Sequence, residues 1–171
     1  CENGKVKYES CRANGFTGIV FDLVEDRDGT VWFCTLDGLW KYANGCFKYL
    51  GDSIPALSKT SNGLIVNPID STLWIGTNGS GIVVKGRSKI YQITKEDGLI
   101  SNSINQLFYA KNNVWVATKQ GLSRVILQDG RQRIVNFTKS NGLPTNEVYS
   151  VYEFDNKVYI GTSKGLTIFN K

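Results

Sequence analysis

The sequence predicts an all-β protein, and three observations carry that prediction. A stretch that reads turn, strand, turn, strand at residues 25–42 recurs in shortened form three more times along the 171 residues. Its copies are Leu73-Trp74-Ile75-Gly76-Thr77, Val114-Trp115-Val116-Ala117-Thr118 and Val158-Tyr159-Ile160-Gly161-Thr162. The threonines that close the copies, Thr35, Thr77, Thr118 and Thr162, stand 42, 41 and 44 residues apart, the period of four-stranded propeller blades. Ten of the 18 glycines follow Asn or Asp, pairs that tolerate the positive φ of tight hairpins. The expected architecture is a β-propeller with four blades of about 42 residues, either a closed four-bladed ring or part of a larger propeller.

In chain order, residues 1–10 look like the outer strand of an incomplete blade, because Asn3-Gly4-Lys5-Val6-Lys7-Tyr8 lines up with Asn44-Gly45-Cys46-Phe47-Lys48-Tyr49. The first whole blade spans 17–51. Within it Ile19 to Val24 is the inner strand, Asp26-Arg27-Asp28-Gly29 a hairpin, Val31 to Thr35 the second strand, Leu39 to Tyr42 the third and Cys46 to Leu50 the outer. The second blade, 52–96, begins irregularly at Ile54-Pro55-Ala56-Leu57 and has a short inner strand at Leu64 to Val66. Blades at 97–140 and 141–171 return to the pattern, the last without an outer strand of its own. Strand 5–9 therefore has a natural partner in strand 166–170, in the same chain or in a neighbour, which would also cover two open edges. Runs of strand length and frequent turns indicate no helix.

Within each second strand a large ring and a small residue are two apart and share a face: Trp32 with Cys34, Trp74 with Gly76, Trp115 with Ala117, Tyr159 with Gly161. This is the pattern of interblade packing. The threonine that follows points the other way, where its hydroxyl can serve a backbone group. Cys34 occupies the small slot and reads as a buried free thiol. Cys1, Cys11 and Cys46 lack the paired spacing of a zinc site, and spacing assigns no disulfide among them.

Composition narrows the function. The net charge of +5 leans toward anionic partners, but Lys and Arg are spread through all four repeats, unlike a protein that tracks a nucleic-acid groove. No nucleic-acid partner is expected. No apolar stretch reaches membrane-spanning length. A chain without methionine is expected to be a processed or excised piece of something longer.

The repeats resemble those of the two-component regulator propeller family. Repeat one carries the closest copy, Val24-Glu25-Asp26-Arg27-Asp28-Gly29-Thr30-Val31-Trp32 with Thr35, Gly38-Leu39 and Lys41-Tyr42. Asp97-Gly98-Leu99 and Asn141-Gly142-Leu143 are similar to the segments between repeats in that family. The resemblance implies an extracytoplasmic, periplasmic sensor propeller, joined in its relatives to a membrane helix and a histidine kinase, and often responsive to oligosaccharides. The chain has no histidine, so it could be only the sensing portion.

The same absence removes Ser-His-Asp and Cys-His catalysis and histidine metal sites. A carboxylate pair for glycoside hydrolysis remains available, but Asp26, Asp28, Asp70 and Asp155 sit in turns, where acidic residues serve the turn itself. Asp28-Gly29-Thr30-Val31-Trp32 departs from a sialidase Asp-box by a missing residue between Asp and Gly. The loop at Asp26 lacks the further ligands calcium needs. No catalytic residue, metal or cofactor is expected.

A binding role asks for less. The loops leading into each blade and those joining strands two and three carry Arg12, Asn14, Asp37, Asn62, Asn78, Ser80, Asn102, Asn105, Lys119, Gln120, Asn146, Glu147 and Lys164. From these the expected ligand set is Arg12, Asp37, Asn62, Asn78, Asn102, Lys119, Gln120, Asn146 and Lys164, whose amides and cations suit an oligosaccharide or another polar small molecule. The alternatives are a carbohydrate-active enzyme on the same fold, or a dimerisation platform through the open blade edges.

Overall fold

The computed structural model describes residues 18–128 and 131–170. They form four antiparallel meanders. Blade one holds β1 (Val20–Glu25), β2 (Val31–Thr35), β3 (Gly38–Ala43) and β4 (Cys46–Tyr49). Blade two holds β5 (Ser61–Val66), β6 (Leu73–Thr77), β7 (Ile82–Lys85) and β8 (Ile90–Ile93). Blade three holds β9 (Ile104–Ala110), β10 (Asn113–Thr118), β11 (Gly121–Gln128) and β12 (Arg131–Phe137), and blade four holds β13 (Val148–Phe154), β14 (Lys157–Thr162) and β15 (Gly165–Asn170). The expected pairing of strand 5–9 with 166–170, and the state of Cys1 and Cys11, lie outside the described residues.

Neighbouring blades pack through their innermost strands in chain order, β1 on β5, β5 on β9 and β9 on β13. β1 and β13, which a four-bladed ring would bring together, do not pack on each other. Of the two arrangements expected from sequence, the closed ring of these four blades is excluded: the blades make an open arc, a partial propeller. Equivalent positions show the ends of that arc. Leu64, Leu107 and Val151, paired across to Ile75, Val116 and Ile160, are 5%, 4% and 2% exposed, whereas Leu23, paired in the same way to Phe33, is 64% exposed. At the far end Tyr152 and Ile168 flank Tyr159 in register and are about half exposed.

Each interblade core combines the ring side of one blade with the aliphatic side of the next. Trp32, Cys34 and Leu39 meet Leu64, Leu73, Ile75 and Val83. Trp74, Ile82 and Val84 meet Leu107, Val114 and Val116, and Trp115, Ala117 and Leu122 meet Val151, Val158 and Ile160. Burying each such aliphatic side chain contributes roughly 1.5–3 kcal/mol. The small slot beside the ring is a steric necessity: a Cβ on Gly76 would lie 2.7 Å from Ile104 Cγ2 of the next blade. Cys34 fills the same slot as a free, buried thiol, and Cys46 is free and exposed.

Polar bonds cross the same junctions. Asp22 Oδ2 accepts the Leu64 amide at 2.8 Å, Gln106 Oε1 accepts the Val151 amide at 2.7 Å, and the amine of Lys85 stacks over the Trp32 ring. The repeat threonines act as expected. Each donates its hydroxyl to the carbonyl of a glycine at or just before the start of the third strand, at 2.8–2.9 Å for Thr35, Thr77, Thr118 and Thr162. Each also accepts an amide of the intervening turn.

Two expectations need correction. Short 3-10 turns, Pro55–Leu57, Lys95–Asp97 and Lys139–Asn141, lead into blades two, three and four, although no helix was indicated. A single turn carries too few residues to show a period. The inner strand of blade two starts at Ser61, not Leu64, and takes the same bulge after its first residue that β1, β9 and β13 show at this end. The irregular lead-in at 54–57 is thus regular in structure: Leu57 is fully buried in the junction between blades one and two, as Leu99 and Leu143 are in theirs.

Candidate functional site

Antiparallel meanders send every β2–β3 type turn and every lead-in loop to one face of the arc, and every β1–β2 type hairpin to the other. The described members of the expected ligand set, Asp37, Asn62, Asn78, Asn102, Lys119, Gln120, Asn146 and Lys164, therefore share one face, the loop face. Arg12 and Asn14 lie outside the described residues.

On this face the turns of blades one, two and four are tied to lead-in loops. Thr60 donates its hydroxyl to the Leu36 carbonyl of blade one at 2.8 Å, and its own carbonyl accepts the Asn78 amide of blade two at 2.8 Å. Gly79 and Gly81 both donate to the Asn102 carbonyl at 2.9 Å, and Asn78 bridges Ser103 in antiparallel fashion. In blade four the Ser163 amide donates to the Glu147 carbonyl at 3.1 Å. Such ties hold the turns in fixed relation, which is what preorganises a binding surface.

On this face the expected residues divide in two. Asn62 Nδ2 donates to the Ile104 carbonyl of the next blade at 3.0 Å, as Asn105 Nδ2 donates to Val148 at 2.7 Å. Asn102 Oδ1 accepts the Lys95 amide and Asn146 Oδ1 the Lys139 amide, both at 2.8 Å, so each clamps the first residue of a 3-10 turn. Capping boxes at Thr94 with Asp97 and Thr138 with Asn141 hold the same turns. Asn62, Asn102 and Asn146 therefore serve the fold through one amide atom each, a duty invisible in sequence because its partners are distant or purely backbone. The remaining side chains, Asp37, Asn78, Lys119, Gln120 and Lys164, are exposed.

Sequence reasoning passed over Lys59, which is exposed and whose amine lies beside Gly79. It sits inside the 54–62 stretch whose departure from the repeat was the available signal. With Lys119 and Lys164 it sets three amines against the carboxylates of Asp37 and Glu147 on this face. Tyr49 donates its hydroxyl to the Asp37 carbonyl at 2.6 Å. Burial, with Asp52 and Asp37 adding to it, raises that phenol above its ordinary value of 10.0, so it remains a donor.

On the hairpin face the acidic turns are engaged by their own loops. Asp26 Oδ1 accepts the amides of Asp28 and Thr30 at 3.0 Å, and its Oδ2 accepts the Trp32 indole N–H at 2.7 Å. Asp70 Oδ1 accepts the Thr72 amide and hydroxyl at 2.9 and 2.7 Å. Among the described residues no three Cys, Asp or Glu are gathered as a metal centre, and no helix is long and apolar enough to cross a membrane.

Comparison with known proteins fits this architecture. Residues 14–37 match the family described as Two component regulator propeller. No curated protein matches the sequence. Among solved structures, the extracellular domain of a hybrid two component system of B. thetaiotaomicron superposes with a TM-score of 0.79 at 24% identity, over 95% of this chain and 25% of that one. The extracellular domain described as a one component system of the same organism gives a TM-score of 0.76 at 21% identity, over 89% of this chain and 20% of that one. The chain thus spans a quarter or less of the length of these proteins. It is a propeller arc whose residues 14–37 are similar to a two component regulator propeller repeat.

Proposed function

We propose that this arc is the ligand-sensing part of an extracytoplasmic, periplasmic two-component signalling protein, without chemistry of its own. Its ligand is an oligosaccharide or another polar small molecule. The observation that carries this reading is the loop face: Asp37, Asn78, Lys119, Gln120 and Lys164 stand exposed on it, and the turns of blades one, two and four are hydrogen-bonded to lead-in loops of their own or the neighbouring blade. Amides, amines and a carboxylate on a rigid frame recognise hydroxyls and acidic groups. Ligand bound across two blades would favour one packing of the junction between them, and an attached histidine kinase would read that shift. The match to a two component regulator propeller at residues 14–37 supports the signalling role.

Calorimetric titration of the full chain with an oligosaccharide panel, followed by product analysis, tests the proposal. The expected result is saturable binding that Asp37→Ala and Lys119→Ala weaken, with the glycan recovered intact. Recovery of cleaved glycan would establish a carbohydrate-active enzyme instead.

One observation favours a second reading. The exposed apolar ends of the arc, at Leu23 and at Tyr152 and Ile168, are matching halves of an interblade junction, so two copies would associate end to end. Sedimentation would show a concentration-dependent dimer under this reading and a monomer without it.

A further inference from the structure

Blade four ends in an open edge. Its sheet has three strands where the other sheets have four, so among the described residues β15 is paired on one side only. In blade one Lys41 faces Lys48 and the Leu50 amide donates to the Leu39 carbonyl. By that register the backbone groups that β15 turns outward are those of Leu166, Ile168 and Asn170. Natural sheet edges are blunted with charge or proline, and Gly165-Leu166-Thr167-Ile168-Phe169-Asn170 carries neither. Leu39, Ile82 and Leu122, each beside an outer strand, are fully buried, whereas Leu166 at the same register position is 67% exposed. Next to the edge lies a groove of about 280 Å³ whose lining includes Phe137, Leu143, Thr167 and Phe169.

The chain carries a strand of the matching kind. Leu50 and Ser61, Ile93 and Ile104, and Phe137 and Val148 are each eleven residues apart, so the reach from the end of an outer strand to the start of the next inner strand is constant. Eleven residues before Val20, where β1 starts, stands Glu9. It directly follows Asn3-Gly4-Lys5-Val6-Lys7-Tyr8, the counterpart of Asn44-Gly45-Cys46-Phe47-Lys48-Tyr49. By spacing and by sequence, that segment is the outer strand of whichever blade β1 packs on. Within the chain β5 packs on β1, β9 on β5 and β13 on β9, but β1 and β13 do not meet. The blade it completes therefore belongs to another molecule.

We propose that residues 5–8 of a second copy of this chain add to β15 as the fourth strand of blade four. This strand exchange rests on the end-to-end reading of the arc and goes beyond it: β1 of the donor seats on β13 of the acceptor, as β5 seats on β1, and hands over the strand that precedes it. In the register of blade one, Lys7 faces Ile168, Val6 faces Phe169 and Tyr8 faces Thr167. Val6 and Tyr8 thus share the side of Phe169 and Thr167 and fill the groove. The Tyr8 hydroxyl reaches the Lys164 carbonyl, as that of Tyr49 reaches the Asp37 carbonyl at 2.6 Å. Main-chain bonds hold an added strand, and alternate side chains in a groove fix its register.

Two full chains, one with Lys7→Cys and one with Ile168→Cys, each with Cys1, Cys11 and Cys46 replaced by serine, are mixed and treated with a short bifunctional thiol reagent. A covalent heterodimer is expected from the mixture and not from either chain alone. Alternate prolines then read the ladder. Lys7→Pro removes an amide that points into it, at the place of the Lys48 amide, and should weaken association in sedimentation by about tenfold or more. Val6→Pro, whose amide points away, should weaken it less, and Tyr8→Phe should weaken it severalfold. Far-UV circular dichroism of each variant in dilute solution should match that of the parent. Cross-linking within single molecules of the doubly substituted chain, rather than between molecules, would overturn the second copy as donor. Association that both prolines leave unchanged would overturn strand exchange and leave the end-to-end reading standing. A chain that stays monomeric at every concentration and gives no heterodimer would overturn both.

Discussion

Trp115 in blade three donates its indole N–H to Glu153 Oε2 in blade four at 2.7 Å, with Trp115 fully buried and Glu153 nearly so. The bond ties the ring side of one blade to the inner strand of the next. Trp32 and Trp74 satisfy the same indole nitrogen within their own blade, through Asp26 and Thr72. Glu153→Ala would leave the indole N–H buried without this acceptor, and a loss of about 1–3 kcal/mol is expected in urea unfolding. Glu153→Gln keeps an acceptor oxygen and should lose less.

Gly38 and Gly45 offer a paired test of backbone requirement. Both have positive φ, 121° and 76°, but a Cβ on Gly38 would overlap the Leu57 carbonyl of the blade-two lead-in, while one on Gly45 meets nothing within 4 Å. Gly45→Ala should lower stability by about 1 kcal/mol, the ordinary cost of a left-handed residue. Gly38→Ala must also move the 3-10 turn at Pro55–Leu57, and its thermal midpoint should fall clearly further.

Cys34 makes stability depend on alkaline pH. Burial, with Asp22 adding to it, raises the thiol far above its ordinary value of 9.0. The unfolded chain ionises this thiol above pH 9.0 while the folded chain does not, so the unfolded state binds fewer protons and stability falls as pH rises. The contribution is fully present below that pH. Cys34→Ala, the residue found at position 117, should fold, and its stability should decline less steeply above pH about 9. Iodoacetamide should label Cys46 and leave Cys34 untouched in native protein.

Leu23 and Leu64 share a register but not an environment. Leu64→Glu would bury an unpaired carboxylate in the first junction, and a loss of several kcal/mol is expected. Leu23→Glu places the charge on the open end of the arc. It should leave the thermal midpoint almost unchanged and reduce any end-to-end association seen by sedimentation.

Much of this was legible because the repeat states its own geometry. The Trp and Thr positions, the small slot at Cys34 and the second strands could be read from four copies, since each reflects a local or periodic demand. The lead-in to blade two was hidden because Pro55 and Ala56 replace residues of the Asp-Gly-Leu pattern, yet Leu57 keeps the buried position. Asn62, Asn102 and Asn146 could be placed on the loop face but not assigned their bonds, because Ile104, Lys95 and Lys139 receive or offer backbone groups that carry no sequence signature.

The junctions described above all run one way, ring side to aliphatic side, so the stack has a polarity like that of a chain of identical links. Two leading ends cannot mate, nor two trailing ends. A whole period can be inserted or removed and the same junction forms again, whereas a cut inside a blade strands half of one. Growth and shrinkage of such a protein therefore proceed in units of one period, and its curvature is inherited from a single junction repeated.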